Sequence, residues 1–205
     1  MDDGVQSGKY AVAWNLNNKL DQISLGVASL KRHNPHIRQF GLVIGNISNE
    51  IQDFCKEQGV VLIPCDSLFD EKFPCFKEYG IDKTVDPGNK RKYSKYVFGR
   101  FLIPYIQELR DFDKVLYMDC DCLVMKSLDC LFAHESNRQA TICNDGQGPQ
   151  KSERKKLEII RKYDKYGMIK DRYACSGVIM FNVANIRTSQ NKYDLFMARI
   201  DEIQH

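Results

Sequence analysis

The chain predicts an α/β fold with a parallel, doubly wound sheet, and three observations carry that expectation. Short apolar runs of strand length recur along it, at 10–14, 40–44, 60–63, 115–118 and 174–183. Helical stretches separate the first three of these runs, and the links between are short. The fourth run delivers two carboxylates, Asp119 and Asp121, to its own C-terminal end. A strand–helix–strand–helix–strand order needs crossover connections, and crossovers produce parallel strands. Ligands of such sheets bind beyond the carboxyl ends of the strands.

Taken in order, Tyr10 to Trp14 reads as the first strand, with Asn15-Leu16-Asn17-Asn18 as the turn after it. Leu20, Ile23, Val27 and Leu30 then mark one face of a helix that stops before Asn34-Pro35. Phe40 to Ile44 is a second strand, closed by Gly45-Asn46. Ser48 is placed to cap a helix running to about Gln58, which Gly59 ends. Val60 to Ile63 is a third strand, stopped at Pro64. From 66 to 90 periodicity is lost among Pro74, Gly80, Pro87 and Gly88, which predicts a long surface loop, either a ligand-site loop or a plain insertion.

Tyr93 to Leu109 follows as a helix with Tyr96, Val97, Leu102, Ile103 and Ile106 inward and Pro104 kinking it. After the central strand come a short helical turn at Leu128 to Phe132 and a strand at Ala140 to Cys143. A loop, Asn144 to Pro149, places Asp145 beside Gly146 and Gly148, residues that let a backbone approach a ligand. The other reading of Asp145 is a turn residue, since Asn-Asp-Gly is common turn sequence. Lys151 to Arg172 holds nine Lys or Arg against four acids, a solvated face or a grip for an anionic substrate. Ala174 to Val183 is a further strand, and its Gly177 marks close approach by a ligand or another segment. Tyr193 to Ile203 reads as a last amphipathic helix with Leu195, Phe196 and Ile200 facing in.

Length and composition bound the rest. A chain of 205 residues, 43% apolar and 28% charged, suits one α/β domain with a real core, and excludes a disordered or fibrous chain. A net charge of +3 does not by itself imply nucleic acid. No apolar run approaches the ~18 residues of a membrane span. The opening Met1-Asp2-Asp3-Gly4 is unlike a signal peptide. The eight cysteines form no C-x-x-C pair and have no His partner at zinc-finger spacing. Reduced thiols in a cytoplasmic compartment are the expectation, with a zinc site on Cys120 and Cys122 as the alternative.

Asp119 and Asp121 carry the chemistry. In an extended backbone, residues two apart project from one face, about 6–7 Å apart. Two such carboxylates repel unless a positive charge lies between them. A hard divalent cation with room left for phosphate oxygens meets that need. Two solvated surface acids are the alternative.

Arg100, an apolar helical stretch, Asp113-Lys114-Val115-Leu116-Tyr117-Met118-Asp119-Cys120-Asp121 and then Leu128 to Phe132 together resemble the metal-site region of glycosyltransferase family 8. That family includes glycogenin and bacterial lipopolysaccharide galactosyltransferases. Tyr10 to His33 is similar to its opening strand and helix, with Ser29-Leu30-Lys31 matching its Ser-Leu-Lys. Ser176-Gly177-Val178 followed by Asn182 resembles its later Asn-x-Gly-Val strand.

The resemblance implies the GT-A fold, Rossmann-like, with a mixed but mainly parallel central sheet flanked by helices on both faces. It implies one catalytic domain, with a nucleotide-binding half over about 1–124 and a sugar and acceptor half over about 125–205. It further implies a metal-dependent transferase moving a hexose or deoxyhexose from a UDP-sugar to a hydroxyl of a glycan or glycoprotein acceptor. Asp119 and Asp121 would hold Mn²⁺ or Mg²⁺, Asp119 also lying near the donor ribose. Arg100 would lie beside the sugar diphosphate and Arg91 would contact the nucleotide. Ala13 and Asn15 would cup uridine, and Gly177 would approach the donor. Asp145 would hydrogen-bond the transferred sugar, or act as base on an acceptor hydroxyl.

This sequence departs from the family in three places. Cys175 replaces the Asn before the strand glycine. Lys19 replaces a Tyr that stacks on uracil, leaving Trp14 or another aromatic to substitute. The chain ends at His205, before the family's Asp-Gln pair and His-x-x-Gly metal motif. The expectation is a piece of a longer protein, or a site completed another way, with His205 as a conceivable third ligand. Two rival functions remain open. A sugar-nucleotide nucleotidyltransferase needs a Gly-rich phosphate loop, which Asn15 to Asn18 does not offer. A non-catalytic basic module would use Lys151 to Arg172, where only Tyr163, Tyr166 and Tyr173 interleave the charges, so nucleic acid is not the expected partner.

Overall fold

A computed structural model describes residues 9–74, 84–85, 92–93, 95–144 and 174–203. One six-stranded sheet organises them, in the order β3-β2-β1-β6-β8-β7. The strands are β1 (Tyr10–Asn15), β2 (Arg38–Val43), β3 (Val61–Pro64), β6 (Lys114–Met118), β7 (Ala140–Asn144) and β8 (Ala174–Asn182). The pairs β1–β2, β2–β3 and β1–β6 are parallel, while β6–β8 and β7–β8 are antiparallel. The sheet is therefore mixed and mainly parallel, as expected.

Period-two alternation sorts the side chains of each strand between two cores. Ala11 and Ala13 of β1 and Val115 and Tyr117 of β6 enter one core. It is completed by Leu102, Ile103 and Ile106, by Phe69 and Phe73, and by Val183, Ile186, Tyr193 and Met197. Val12, Trp14, Leu116 and Met118 enter the other, against Ile23, Val27 and Leu30 of α1 (Leu20–His33) and Ile51 and Cys55 of α2 (Asn49–Gln58). Helical elements thus cover both faces. The Ser48 side chain caps α2 through the Ile51 N–H, and Gly59 ends it at φ 75°, a left-handed conformation that glycine adopts without strain.

Several sequence expectations are corrected. The stretch 66–90 is not all loop: α3 (Asp66–Lys72) opens it, and burial of Phe69 and Phe73, one turn apart, supplies its drive. Later in the same stretch, β4 (Thr84–Val85) pairs antiparallel with β5 (Lys92–Tyr93). The helix expected over 93–109 is wound as 3₁₀ at Lys95–Tyr105 and again at Gln107–Leu109. Pro104 offers no N–H there, and Gly99 is a weak helix former. After α4 (Asp129–Phe132) and β8, Val183 opens a helix of its own, α5 (Val183–Thr188), in place of extending the strand. The last helix, α6 (Gln190–Ile203), buries Tyr193 and Met197, while Leu195 and Phe196 are exposed. The inward face is thus the one set by the i, i+4 pair Tyr193 and Met197.

Trp14 is also not available to a ligand. It is 1% exposed, packed in the core under α1, and its indole N–H donates to Gln39 Oε1 at 3.0 Å.

Candidate metal and nucleotide site

The site forms where β6 ends. Parity along this strand decides what each residue meets. Val115 and Tyr117 face the 3₁₀ segment, and Asp119 follows them on that side. Leu116 and Met118 face α1, and Cys120 follows those. Asp119 continues the antiparallel ladder by one bond, its N–H donating to the Gly177 carbonyl of β8 at 2.8 Å.

The chain then turns. The Cys122 N–H donates to the Asp119 carbonyl at 3.0 Å, so Cys120 and Asp121 occupy the middle of a tight turn. The two acids therefore do not lie on one extended face as the spacing suggested. They are the first and third residues of a turn, with Asp119 partly exposed and Asp121 exposed. Gly26 of α1 seats this turn: a Cβ there would lie 3.2 Å from the Cys120 carbonyl and 3.3 Å from the Cys122 carbonyl.

Asp119 is held and Asp121 is not. The Tyr117 hydroxyl donates to Asp119 Oδ1, and Arg100 Nη2 lies 3.4 Å from the same oxygen. Arg100 is 5% exposed. Its Nε donates to the Val97 carbonyl at 2.7 Å, its Nη1 donates to the Ser176 carbonyl, and its guanidinium stacks 4.7 Å from the centre of the Tyr117 ring. Burial pushes the Tyr117 phenol well above its ordinary pKa; Arg100 opposes that shift and Asp119 adds to it, so the hydroxyl keeps its proton and donates. Among the described residues, Asp119 Oδ2 and both oxygens of Asp121 carry no protein partner.

The other expected site residues fall as follows. Gly177 lies opposite Asp119, with its carbonyl taken by the Asp119 amide. Asn15, partly exposed, ends β1, and its carbonyl accepts the Cys120 thiol at 2.9 Å. Ala13 is fully buried in the core with Phe40 and Tyr117, so its side chain packs and Asn15 is the member of that pair that reaches the surface. Arg91, Asp145, His205 and the basic run Lys151 to Arg172 lie outside the described residues. Tyr117 and Gly26 were missed by sequence reasoning. The signal for Tyr117 was its place two residues before Asp119, on the same face.

Cys120 is buried, and desolvation pushes its thiol up to about 12. Among the described residues no group of three or more His, Cys, Asp or Glu gathers as a metal cluster. What they supply is carboxylate oxygen from two acids. That suits a hard cation that keeps its remaining positions for phosphate and water.

The family model for glycosyl transferase family 8 matches residues 13–196. The chain belongs to that family. Solved glycosyltransferases share its GT-A architecture. The structure of the bifunctional glycosyltransferase WbbM superposes with a TM-score of 0.63 at 16% identity, covering 96% of this chain and 35% of that one. The galactosyltransferase LgtC, in complex with donor and acceptor sugar analogues, gives 0.60 at 19% identity, over 87% of this chain and 59% of that one. Core-mannan synthase A of Aspergillus fumigatus, in its Mn/GDP form, gives 0.56 at 9% identity, over 96% and 64%. The chain thus spans about a third to two thirds of the length of these proteins. A search of curated proteins by sequence returns no match. Among the described residues, no helix is long and apolar enough to cross a membrane.

Proposed function

We propose that this family 8 chain is a metal-dependent glycosyltransferase that moves a hexose or deoxyhexose from a UDP-sugar to a hydroxyl of a glycan or glycoprotein acceptor. The observation that carries the reading is the turn at the end of β6, where Asp119 is fixed through Oδ1 while Oδ2 and the Asp121 carboxylate remain open to a cation. The open oxygens fit Mn²⁺ or Mg²⁺. When bound, such an ion stabilises the negative charge that a leaving nucleoside diphosphate develops.

The chain's own residues do the rest. Asp119 and Asp121 would hold the ion, and their turn sits at the carboxyl end of β6, beside the end of β1. Asn15 at the end of β1 borders the nucleotide. The Asp119 amide, tied to the Gly177 carbonyl, keeps the turn against β8, and Gly177 is assigned to the donor. Arg91 is assigned to the nucleotide, and Asp145 to the sugar or to the acceptor hydroxyl as base. Residues 1–124 then form the nucleotide half and 125–205 the sugar and acceptor half of one catalytic domain.

Screening nucleotide sugars for thermal stabilisation, with Mn²⁺ and with chelator, tests the reading. A donor at a hundred times its dissociation constant adds about 2.7 kcal/mol to folded-state stability. UDP-sugars should stabilise the chain, and more so with Mn²⁺. Indifference to every nucleotide sugar in both conditions would remove the proposal. Asp145→Asn refines it: turnover should fall at least tenfold, or about 1.4 kcal/mol of transition-state stabilisation, with UDP affinity kept. A variant within about twofold of wild type would make Asp145 a turn residue.

A further inference from the structure

The geometry points to Arg100 and Tyr117 as positioning residues that commit one oxygen of Asp119 to the protein and leave the other to the cation, an inference that rests on the metal-dependent reading above. It replaces direct contact between Arg100 and a diphosphate with a role exerted through Asp119.

Two elements converge on that carboxylate, Tyr117 from β6 and Arg100 from the 3₁₀ segment. Strand β8 braces Arg100 and Asp119 in turn: the Ser176 carbonyl accepts from Arg100, and the Gly177 carbonyl accepts the Asp119 N–H. The guanidinium cannot swing out to a ligand without breaking its bonds to the Val97 and Ser176 carbonyls and uncovering the Tyr117 ring. Those bonds set the guanidinium plane, and Nη2 is the edge left for Asp119. The phenol, from two residues earlier on the strand, completes the restraint. With Oδ1 held twice, the carboxylate has little freedom to turn, so Oδ2 is presented before any ion arrives.

Charge points the same way. Two acids two residues apart repel, and a buried guanidinium on the outer face of one of them offsets that repulsion without occupying the oxygen an ion would use. Lysine could not do this, because one ammonium does not satisfy two carbonyls and a carboxylate in a single plane.

The test is UDP titration calorimetry with Mn²⁺ and with chelator, on wild type, Tyr117→Phe and Arg100→Lys. Losing such a partner typically costs ten- to a hundredfold in metal affinity. Tyr117→Phe should therefore lose roughly tenfold of the gain in UDP affinity that Mn²⁺ confers, and Arg100→Lys more. UDP affinity in chelator should be unchanged in both. A gain in Tyr117→Phe equal to that of wild type overturns the inference. So does an equal loss with and without Mn²⁺, which marks a merely structural role. If Arg100→Lys fails to fold, Tyr117→Phe, which keeps the packed ring, decides alone. A wild type with no Mn²⁺-dependent gain overturns the metal reading and this inference with it; a wild-type gain that Tyr117→Phe retains overturns this inference only.

Discussion

The carboxyl ends of β1, β2 and β3 and the carboxyl end of β6 use similar polar residues in opposite ways. In the first region the side chains close on neighbouring loops. Asn18 donates to the Asn46 carbonyl at 3.1 Å and accepts the Ser48 N–H at 2.9 Å. Both oxygens of Asp66 receive the Gly45 N–H, at 2.9 and 3.1 Å, and Asn17 accepts the Lys19 N–H at 2.9 Å. In the second region Asp119 is restrained through one oxygen, and Asp121 has no partner among the described residues. The first arrangement fixes the shape of loops. The second fixes a charge and leaves it available, which is what the proposed cation and diphosphate site requires.

Breaking the second region should have the largest effect on stability. Arg100→Met removes a buried cation and leaves the Val97 and Ser176 carbonyls without their donor, so we expect a loss of about 3 kcal/mol by chemical denaturation. A loss under about 1 kcal/mol would show that the guanidinium is not an organising element. Gly26→Ala probes the same region from beneath. Alanine favours the helix by about 1 kcal/mol, while its Cβ presses on the Cys120 and Cys122 carbonyls at 3.2 and 3.3 Å. The two effects should nearly cancel in melting temperature, while the Mn²⁺-dependent gain in UDP affinity falls severalfold. An unchanged gain would mean that the turn tolerates displacement.

The first region should answer differently. Asn18→Ala removes two loop bonds and should cost about 1 kcal/mol of stability. It should leave the Mn²⁺-dependent gain intact, since none of its partners touches the β6 turn. A loss of that gain would erase the distinction between the two regions.

Much of this was legible in the sequence where the determinants are local. The Ser48 cap, the Gly59 stop, β1, β2 and the apolar run of β6 each follow from residues a few positions apart. Asp119 and Asp121 stood out for the same reason. Their turn did not, because spacing alone cannot separate an extended pair from a turn. Helix α3 was hidden because only Phe69 and Phe73 mark it, inside a stretch dotted with proline and glycine. The role of Arg100 depends on the carbonyl of Ser176, 76 residues away, and no periodicity carries that information. The inward face of α6 was misread because Leu195 and Phe196 are apolar yet exposed, and apolarity does not by itself dictate burial.

The smallest expected effect is one the two regions share. Cys65 at the end of β3 and Cys120 in the β6 turn are both raised to about 12 by burial, from an ordinary thiol's 9.0. Because the folded form keeps protons that the unfolded form loses, their contribution is nearly full below about pH 8 and declines as pH rises through 9 toward about 12. Between pH 8 and pH 9 each thiol should cost about 0.3 kcal/mol, growing to about 1.4 kcal/mol per unit beyond. Denaturation curves of Cys65→Ala and Cys120→Ala against pH would check it, each variant showing a flatter alkaline decline than wild type. Identical slopes would remove the thiols as the cause.

The most direct test of the open carboxylate pair is calorimetric titration of UDP into wild type and Asp121→Asn, with Mn²⁺ and with chelator. Wild type should bind UDP at least about tenfold tighter with Mn²⁺, a gain of about 1.4 kcal/mol. Asp121→Asn should lose that gain while remaining folded, since its side chain has no partner among the described residues. Equal affinity of wild type for UDP with Mn²⁺ and with chelator would contradict the account.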